Sequence, residues 1–153
     1  MDKDKEMPTH TGHVGINVTN LDRSVEFYGE AFGLARIGGS DAAGRRFAFL
    51  GDGEKLVLTL WEQSKGRFDA GTPGLHHLSF QVGTIDEVEI AEQRLRERNV
   101  KFLYDGVVPH AEGSASGGIF FEDPDGTRLE IFTPSGVGDR RAPVADGPSC
   151  GFF

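Results

Sequence analysis

The apolar residues near the N-terminus first alternate with polar ones and then recur at helical spacing. Val14, Ile16 and Val18 alternate with polar neighbours, which predicts a half-buried strand. The next residues indicate a helix that ends at Gly33, and its apolar stripe consists of Leu21, Val25, Tyr28 and Phe32. Short apolar runs then predict three more strands, near residues 34–38, 45–50 and 55–61.

The same order of elements restarts after residues 63–74, which are rich in Gly, Pro and Ser and resemble a linker. Leu78, Phe80 and Val82 alternate with polar residues as in a strand. Thr84 and Glu87 have the spacing of a capping box, which predicts that a second helix begins there and runs to about Asn99. Three further strands are expected near residues 100–104, 117–122 and 127–133, with an Asp-Pro-Asp-Gly turn before the last.

The two halves correspond when the chain is shifted by 64 residues, which lays His13 on His77 and Val18 on Val82. We therefore predict an α+β chain with two βαβββ modules. The predicted segments are a flexible tail at 1–10, a first module at 11–62, a linker at 63–74, a second module at 75–134 and an irregular tail at 135–153.

Composition excludes several classes of function. The chain has 153 residues, 37% of them hydrophobic, which is enough for a core. A net charge of −8 without a basic stripe argues against nucleic-acid binding, and no apolar run approaches the roughly 20 residues that cross a membrane. The charged N-terminus is unlike a signal peptide and the single Cys150 cannot form an internal disulfide, so we expect a cytoplasmic protein.

Four stretches carry a family resemblance: His13–Val18, Arg23–Tyr28, Leu75–Phe80 and, above all, Phe121–Ile131. Over about residues 10–134 the chain resembles the vicinal oxygen chelate superfamily, which includes glyoxalase I, extradiol dioxygenases, fosfomycin-resistance enzymes and bleomycin-resistance proteins. The resemblance implies that the two modules form an incomplete barrel around a metal site. It also implies a homodimer, since members commonly dimerise.

The resemblance implies three metal ligands, His13, His77 and Glu130. Strand alternation supports them, because each lies opposite the apolar face of its predicted strand. Two imidazoles and a carboxylate leave coordination positions open for a substrate and suit Fe(II), Mn(II) or Zn(II). His76 is the alternative to His77, but it should point to the other face, and the 64-residue repeat selects His77.

Two departures from family patterns narrow the expected reaction. Glyoxalase I has a fourth ligand on the last strand of its first module, and alignment puts Leu58 there, with Glu62 as the alternative if the register slips. The extradiol signature runs from a His through a Tyr to the ligand Glu. His110 is a candidate for that His, but Phe120 replaces the Tyr and cannot donate a proton. Three-ligand enzymes are favoured over glyoxalase I, and ordinary catechol cleavage is not favoured.

The sequence therefore predicts a metal-dependent enzyme, a lyase or a dioxygenase-like oxidoreductase, that acts on a small oxygen-bearing substrate. The alternative is a non-catalytic drug-binding protein similar to bleomycin-resistance proteins. Five further residues are candidates for the site: His110 as acid or base, Arg128 to orient Glu130 or bind an anion, and Trp61, Phe120 and Phe132 as pocket walls. A loop-surface role for His110 and core packing for the aromatic residues are the simpler alternatives. The Phe152-Phe153 terminus is a candidate for docking on a partner subunit.

Overall fold

The computed structural model of the protein describes residues 6–152, which belong to two compact units divided between Lys65 and Gly66. Each unit contains one βαβββ module with a four-stranded mixed sheet. The predicted α+β class and the two-module organisation are therefore confirmed. Residues 1–5 of the predicted N-terminal tail, and Phe153, lie outside the described residues.

The strands of the first module form one sheet in the order β1-β4-β3-β2, in which β1 and β4 run parallel and the other pairs antiparallel. Its elements are β1 at Val14–Asn17, α1 at Leu21–Phe32, β2 at Ala35–Ser40, β3 at Phe47–Gly51 and β4 at Leu56–Trp61.

Local chemistry sets both ends of α1. The side chain of Asn20 caps the helix by accepting from the backbone N–H of Arg23 at 3.0 Å. Glu62 accepts a second bond from the N–H of Leu21 at 2.8 Å and pairs with Arg46 at 3.0 Å. Gly33 ends the helix as predicted, because its φ of 68° is a left-handed conformation that glycine adopts at little cost.

The core of the first module lies between its sheet and α1. The apolar residues on that side are almost fully buried: Ile16, Val18, Leu21, Tyr28, Ala48, Leu50, Leu58 and Leu60. Alternate residues of the same strands lie on the opposite side, which we call the open face. In the first module it carries Phe47, Phe49, Thr59 and Trp61.

The second module repeats this topology with the strand order β5-β8-β7-β6, and β5 and β8 run parallel. Its elements are β5 at Leu78–Gln81, α2 at Ile85–Glu97, β6 at Val108–Pro109, β7 at Gly117–Glu122 and β8 at Arg128–Thr133. Strand β5 and helix α2 begin 64 residues after β1 and α1, as the repeat predicts.

The strand predicted at residues 100–104 is wrong. The segment lies beside β7, where Phe102 forms an isolated bridge with Phe121, but it makes no regular ladder. The backbone bends at residues 103–106 after this bridge, with Gly106 at a positive φ of 75°, and the edge strand of the sheet is the two-residue β6 instead.

The predicted turn signals in the second module are confirmed. Thr84 and Glu87 form the capping box, and Asn99 adopts a left-handed conformation two residues after the end of α2. In the turn before β8, one carboxylate oxygen of Asp123 accepts from the N–H groups of Asp125 at 2.8 Å and Thr127 at 2.9 Å.

Residues 134–152, the C-terminal segment, are largely irregular as predicted, with one short 3-10 turn at Ser149–Gly151. The segment nevertheless packs on the second module, since Val137 and Ser149 are fully buried. Among the helices formed by residues 6–152, none has the length and apolar character needed to cross a membrane.

Candidate metal centre

The parallel strand pair of each module defines equivalent positions on the two open faces. Gly15 pairs with Thr59 in the first module, and Ser79 pairs with Glu130 in the second. Because Ser79 follows Gly15 by 64 residues, Thr59 is the first-module counterpart of Glu130.

This register corrects the alignment that put Leu58 at the fourth-ligand position of glyoxalase I. Leu58 is fully buried on the side that packs against α1, and Thr59 occupies the open face instead. The hydroxyl of Thr59 accepts a hydrogen bond from the Trp61 ring N–H at 2.9 Å. Glu62, the other alternative, is held by Leu21 and Arg46 as the partner of a helix end. The position therefore holds a neutral hydroxyl rather than a fourth imidazole or carboxylate.

Glu130 is a buried carboxylate with one satisfied and one unsatisfied oxygen. The residue is only 3% exposed. Its Oε1 atom accepts from the hydroxyl of Ser79 at 2.5 Å, whereas Oε2 has no hydrogen-bond partner within the described part of the chain. A buried carboxylate oxygen without a partner is costly, so this atom is suited to receive a cation.

His110 contacts this unsatisfied oxygen. Its Nε2 atom lies 3.3 Å from Oε2 of Glu130, and the His110 side chain is 26% exposed. The other ring nitrogen, Nδ1, lies 2.8 Å from the hydroxyl of Ser116, and the His110 backbone N–H donates to the Ser116 carbonyl. The loop before β7 therefore orients the imidazole toward Glu130, which argues against a loop-surface role.

His77 directly precedes β5 and is half-buried, whereas His76 is exposed. Their Nδ1 atoms lie 2.8 Å apart. Burial lowers the pKa of His77, an effect that the negative charge of Glu130 opposes. The neutral imidazole that burial favours is also the form that binds metal ions.

His13 has the equivalent place in the first module, directly before β1, and is exposed. Among residues 66–152, no three His, Cys, Asp or Glu side chains lie close enough together to hold a metal ion. The described part of the second unit thus provides His77 and Glu130 but no complete site of its own.

The remaining candidates divide between the two open faces. In the second module, Phe120 is fully buried and paired with Glu130, and the Phe132 ring lies 5.1 Å from that of His110. Arg128 lies on the same face, two residues before Glu130. Trp61 belongs to the first module, where its ring stacks on Phe47 at 4.9 Å.

Two residues lie at the second open face that the sequence did not place there: Tyr104, and Phe152, which the sequence suggested for docking on a partner subunit. The Tyr104 hydroxyl donates to the carbonyl of Ser149 at 2.6 Å, and its ring packs edge-on against Phe120. Phe152 places its ring against those of His76 and His77 in its own chain. Alternation gave no signal for either residue, because both lie in irregular segments.

The charge of Glu130 also affects the thiol of Cys150, which lies on the 3-10 turn. Burial raises the pKa of this thiol, and the carboxylate of Glu130 raises it further. The cysteine is free, and its thiol is stabilised in the neutral form.

Comparison with known proteins gives one family description. A model of the Glyoxalase/Bleomycin resistance protein/Dioxygenase superfamily matches residues 10–131. The match includes His13, His77 and Glu130 and ends within β8.

Proteins with similar sequences are named for different reactions. The chain is 31% identical to a trivalent organoarsenical cleaving enzyme of Bacillus sp. (strain MD1), and the match covers 78% of this chain and 70% of that protein. It is 32% identical to lactoylglutathione lyase GLX1 of Arabidopsis thaliana over 78% of this chain and 42% of that protein. It is 25% identical to catechol-2,3-dioxygenase of Bacillus subtilis, and that match covers 81% of this chain and 41% of that protein. The chain thus spans less than half the length of the last two relatives.

Solved structures share the fold. A glyoxylase/bleomycin resistance protein/dioxygenase domain from Frankia sp. EAN1pec gives a TM-score of 0.69 at 25% identity, covering 83% of this chain and 98% of that one. The fosfomycin resistance protein FosX of Listeria monocytogenes, solved with Mn(II), gives 0.65 at 19% identity, covering 84% and 95%. At that identity the second match supports the fold alone.

Proposed function

We propose that this chain, which belongs to the glyoxalase/bleomycin resistance protein/dioxygenase superfamily, is a metal-dependent enzyme acting on a small oxygen-bearing molecule. One divalent cation would be bound by His13, His77 and Glu130. The observation that carries the proposal is the buried Oε2 atom of Glu130, which has no hydrogen-bond partner within residues 6–152. A cation would add positive charge at this oxygen, where Nε2 of His110 lies 3.3 Å away without making a hydrogen bond.

The chemistry of the donor set fits such an ion. A carboxylate and imidazoles bind Fe(II), Mn(II) or Zn(II), and a set of three leaves positions open for a substrate. Both histidines directly precede the first strand of their module, and the half-buried His77 is a better candidate than the exposed His76. Thr59, the counterpart of Glu130, supports the three-ligand kind of enzyme over the four-ligand glyoxalase I kind.

When bound, the ion would polarise substrate oxygens as a Lewis acid. The residues around it would handle protons and charge. His110, which contacts Ser116 and Glu130, would exchange a proton with a bound substrate. Arg128 would attract an anionic group, and the buried ring of Phe120 would exclude water from Glu130. The phenol of the extradiol signature is absent at Phe120, which disfavours ordinary catechol cleavage.

The names of the relatives indicate the class of reaction. Relatives are named as a lyase, a dioxygenase and an organoarsenical cleaving enzyme, and we propose a lyase or an oxidoreductase among these classes. We also propose that the chain works as a cytoplasmic homodimer, since members of the superfamily commonly dimerise. Tight binding of a planar drug that His77→Ala leaves unchanged would instead support a non-catalytic binding protein.

Metal analysis tests the proposal. We would purify the chain without chelator and measure bound metals by mass spectrometry in the wild type and in His13→Ala, His77→Ala and Glu130→Gln. We expect about one ion per chain in the wild type. Each variant should lose roughly a hundredfold or more in metal affinity, which exceeds the loss expected when a residue that only hydrogen-bonds to a metal ligand is removed.

Two histidine variants serve as controls. His10→Ala, in the exposed N-terminal segment, should keep the metal. Loss of metal in His76→Ala but not in His77→Ala would assign the ligand to the neighbouring residue. A wild-type stoichiometry near zero that added Fe(II), Mn(II) and Zn(II) do not restore would contradict the proposal.

A further inference from the structure

The ring of Phe152 lies in a slot made by five residues of the second unit, which we call the ring slot. Two rings lie nearly parallel to it, and two meet it almost at right angles, as aromatic rings prefer. The centroid distances are 5.6 Å to His76, 5.8 Å to His77, 6.1 Å to Tyr104 and 5.6 Å to Phe120. The guanidinium carbon of Arg128 lies 4.8 Å from the centre of the Phe152 ring.

Ser149, three residues before Phe152, is held in place by hydrogen bonds. Ser149 is fully buried, its hydroxyl donates to the carbonyl of Pro109 at 2.5 Å, and its N–H donates to the carbonyl of His110 at 2.7 Å. Tyr104 adds a third bond to the Ser149 carbonyl. The anchor holds the end of the chain beside the slot whether or not the Phe152 ring occupies it.

Phe152 itself is weakly held by its backbone. Its N–H donates to the Ser149 carbonyl at a long 3.4 Å, and its φ of 54° is a left-handed conformation that disfavours a bulky residue. Contacts of the ring therefore keep the residue in place. A competing ring that made the same contacts without the backbone strain could displace it.

A charged ligand could make one contact in the ring slot that the phenyl ring of Phe152 cannot make. Arg128 has no ion-pair partner among residues 6–152, and the uncharged Phe152 ring offers it only a cation–π contact. A flat ring with an anionic substituent would stack in the same way and would also pair with the guanidinium.

We propose that the ring slot binds a flat aromatic group with an anionic substituent, and that Phe152 is an intramolecular competitor for this slot. Phe152 thereby controls which ligands reach His77, its neighbour in the slot. The relevance to catalysis rests on the proposed function, because His77 is a proposed metal ligand. The slot itself requires no metal, so binding can be tested in its absence.

The test uses naphthalene-2-sulfonate as the probe and full-length protein stripped of metal with a chelator. Calorimetric titration should give a dissociation constant about tenfold lower for Phe152→Ala than for the wild type, as expected if the slot is open about a tenth of the time. Phe152→Leu, which still fills the slot, should give a smaller gain. Phe68→Ala, which removes a ring that is not among those contacting Phe152, is the matched control and should bind like the wild type.

Two further measurements locate the binding. Arg128→Gln in the Phe152→Ala background should abolish the gain, and the probe should shift the NMR signals of the His76 and His77 rings in Phe152→Ala more than in the wild type. Unchanged affinity in Phe152→Ala, or tighter binding without a shift of these signals, would overturn the proposal. If the wild type bound no metal but Phe152→Ala still bound the probe more tightly, the proposed function would be rejected and the proposed ring slot would be supported.

Discussion

The two modules share one topology and one register but differ on their open faces. In the first module, Thr59 is a neutral residue that accepts a hydrogen bond from Trp61 and pairs with Phe49 of the adjacent strand. In the second, Glu130 is a buried carboxylate with an unsatisfied oxygen beside His110. The repeat thus provides equivalent positions, and the residue type at each position determines whether it packs or becomes a candidate ligand.

The largest expected effect comes from giving the first module the carboxylate of the second. Thr59→Glu should destabilise the protein by about 3–5 kcal/mol, because Thr59 is 2% exposed and its partners Trp61 and Phe49 carry no charge. Urea denaturation measures the loss. Thr59→Val, the control, should cost only about 1 kcal/mol, for the bond from Trp61. A Thr59→Glu variant as stable as the wild type would show that the two open faces are electrostatically alike.

The reverse change should affect stability only when metal is present. Without metal, Glu130→Gln should be at least as stable as the wild type, because it removes a buried charge. At a metal concentration one hundred times the dissociation constant, the wild type alone should gain about 2.7 kcal/mol. Thermal unfolding with Mn(II) and with chelator measures both effects. An equal gain in Glu130→Gln would exclude Glu130 as a ligand.

How far the sequence predicted the fold depends on the regularity of each element. Alternation and helical spacing predicted β1, both helices and β8 closely, since Gly33 and Thr84 mark helix ends by local chemistry. The segment 100–104 has the composition of a strand, but its pairing with β7 depends on a turn that local preference does not specify. The family resemblance, carried by motifs on strands, on α1 and on the turn before β8, was also confirmed.

Strand alternation predicted the face of Glu130. It lies opposite the apolar residues of β8, and His110 lies beside it. Leu58 was wrong by one residue, because a slip of one position along a strand exchanges its faces. Ser149 and Phe152 reach the second open face through contacts within an irregular segment, and such contacts leave no periodic pattern.

The next smaller effect concerns the N-termini of the two helices. In α2 the capping carboxylate is the nearby Glu87, whereas in α1 a carboxylate comes from Glu62, far along the chain. Glu62→Ala should cost about 1–2 kcal/mol in urea denaturation, for the bonds to Leu21 and Arg46. Its metal content should equal that of the wild type. A loss of metal would restore Glu62 as a candidate ligand.

The smallest effect concerns one exposed turn in each of the two units. Hydrogen bonds from the Lys55 and Glu54 N–H groups lower the pKa of Asp52, and those from Thr72 and Gly71 lower the pKa of Asp69. Since both pKa values are lower in the folded state, both carboxylates stabilise the protein above the unfolded pKa of about 3.9, and this contribution is lost as the pH falls through the folded values.

Carbon-detected NMR titration of the side-chain carboxyls measures these pKa values directly. Asp52→Asn and Asp69→Asn should each reduce the acid dependence of the unfolding midpoint. If either aspartate titrated at or above its ordinary value, the hydrogen bonds assigned to its turn would not form in solution.

The most direct test of the metal centre is a crystal structure of the protein grown with Mn(II), with the ion located by anomalous scattering. We expect one peak about 2.0–2.2 Å from a carboxylate oxygen of Glu130 and from the ring nitrogens of His13 and His77, within one chain or across a dimer. A manganese ion bound elsewhere, with Oε2 of Glu130 still lacking a partner, would contradict the account.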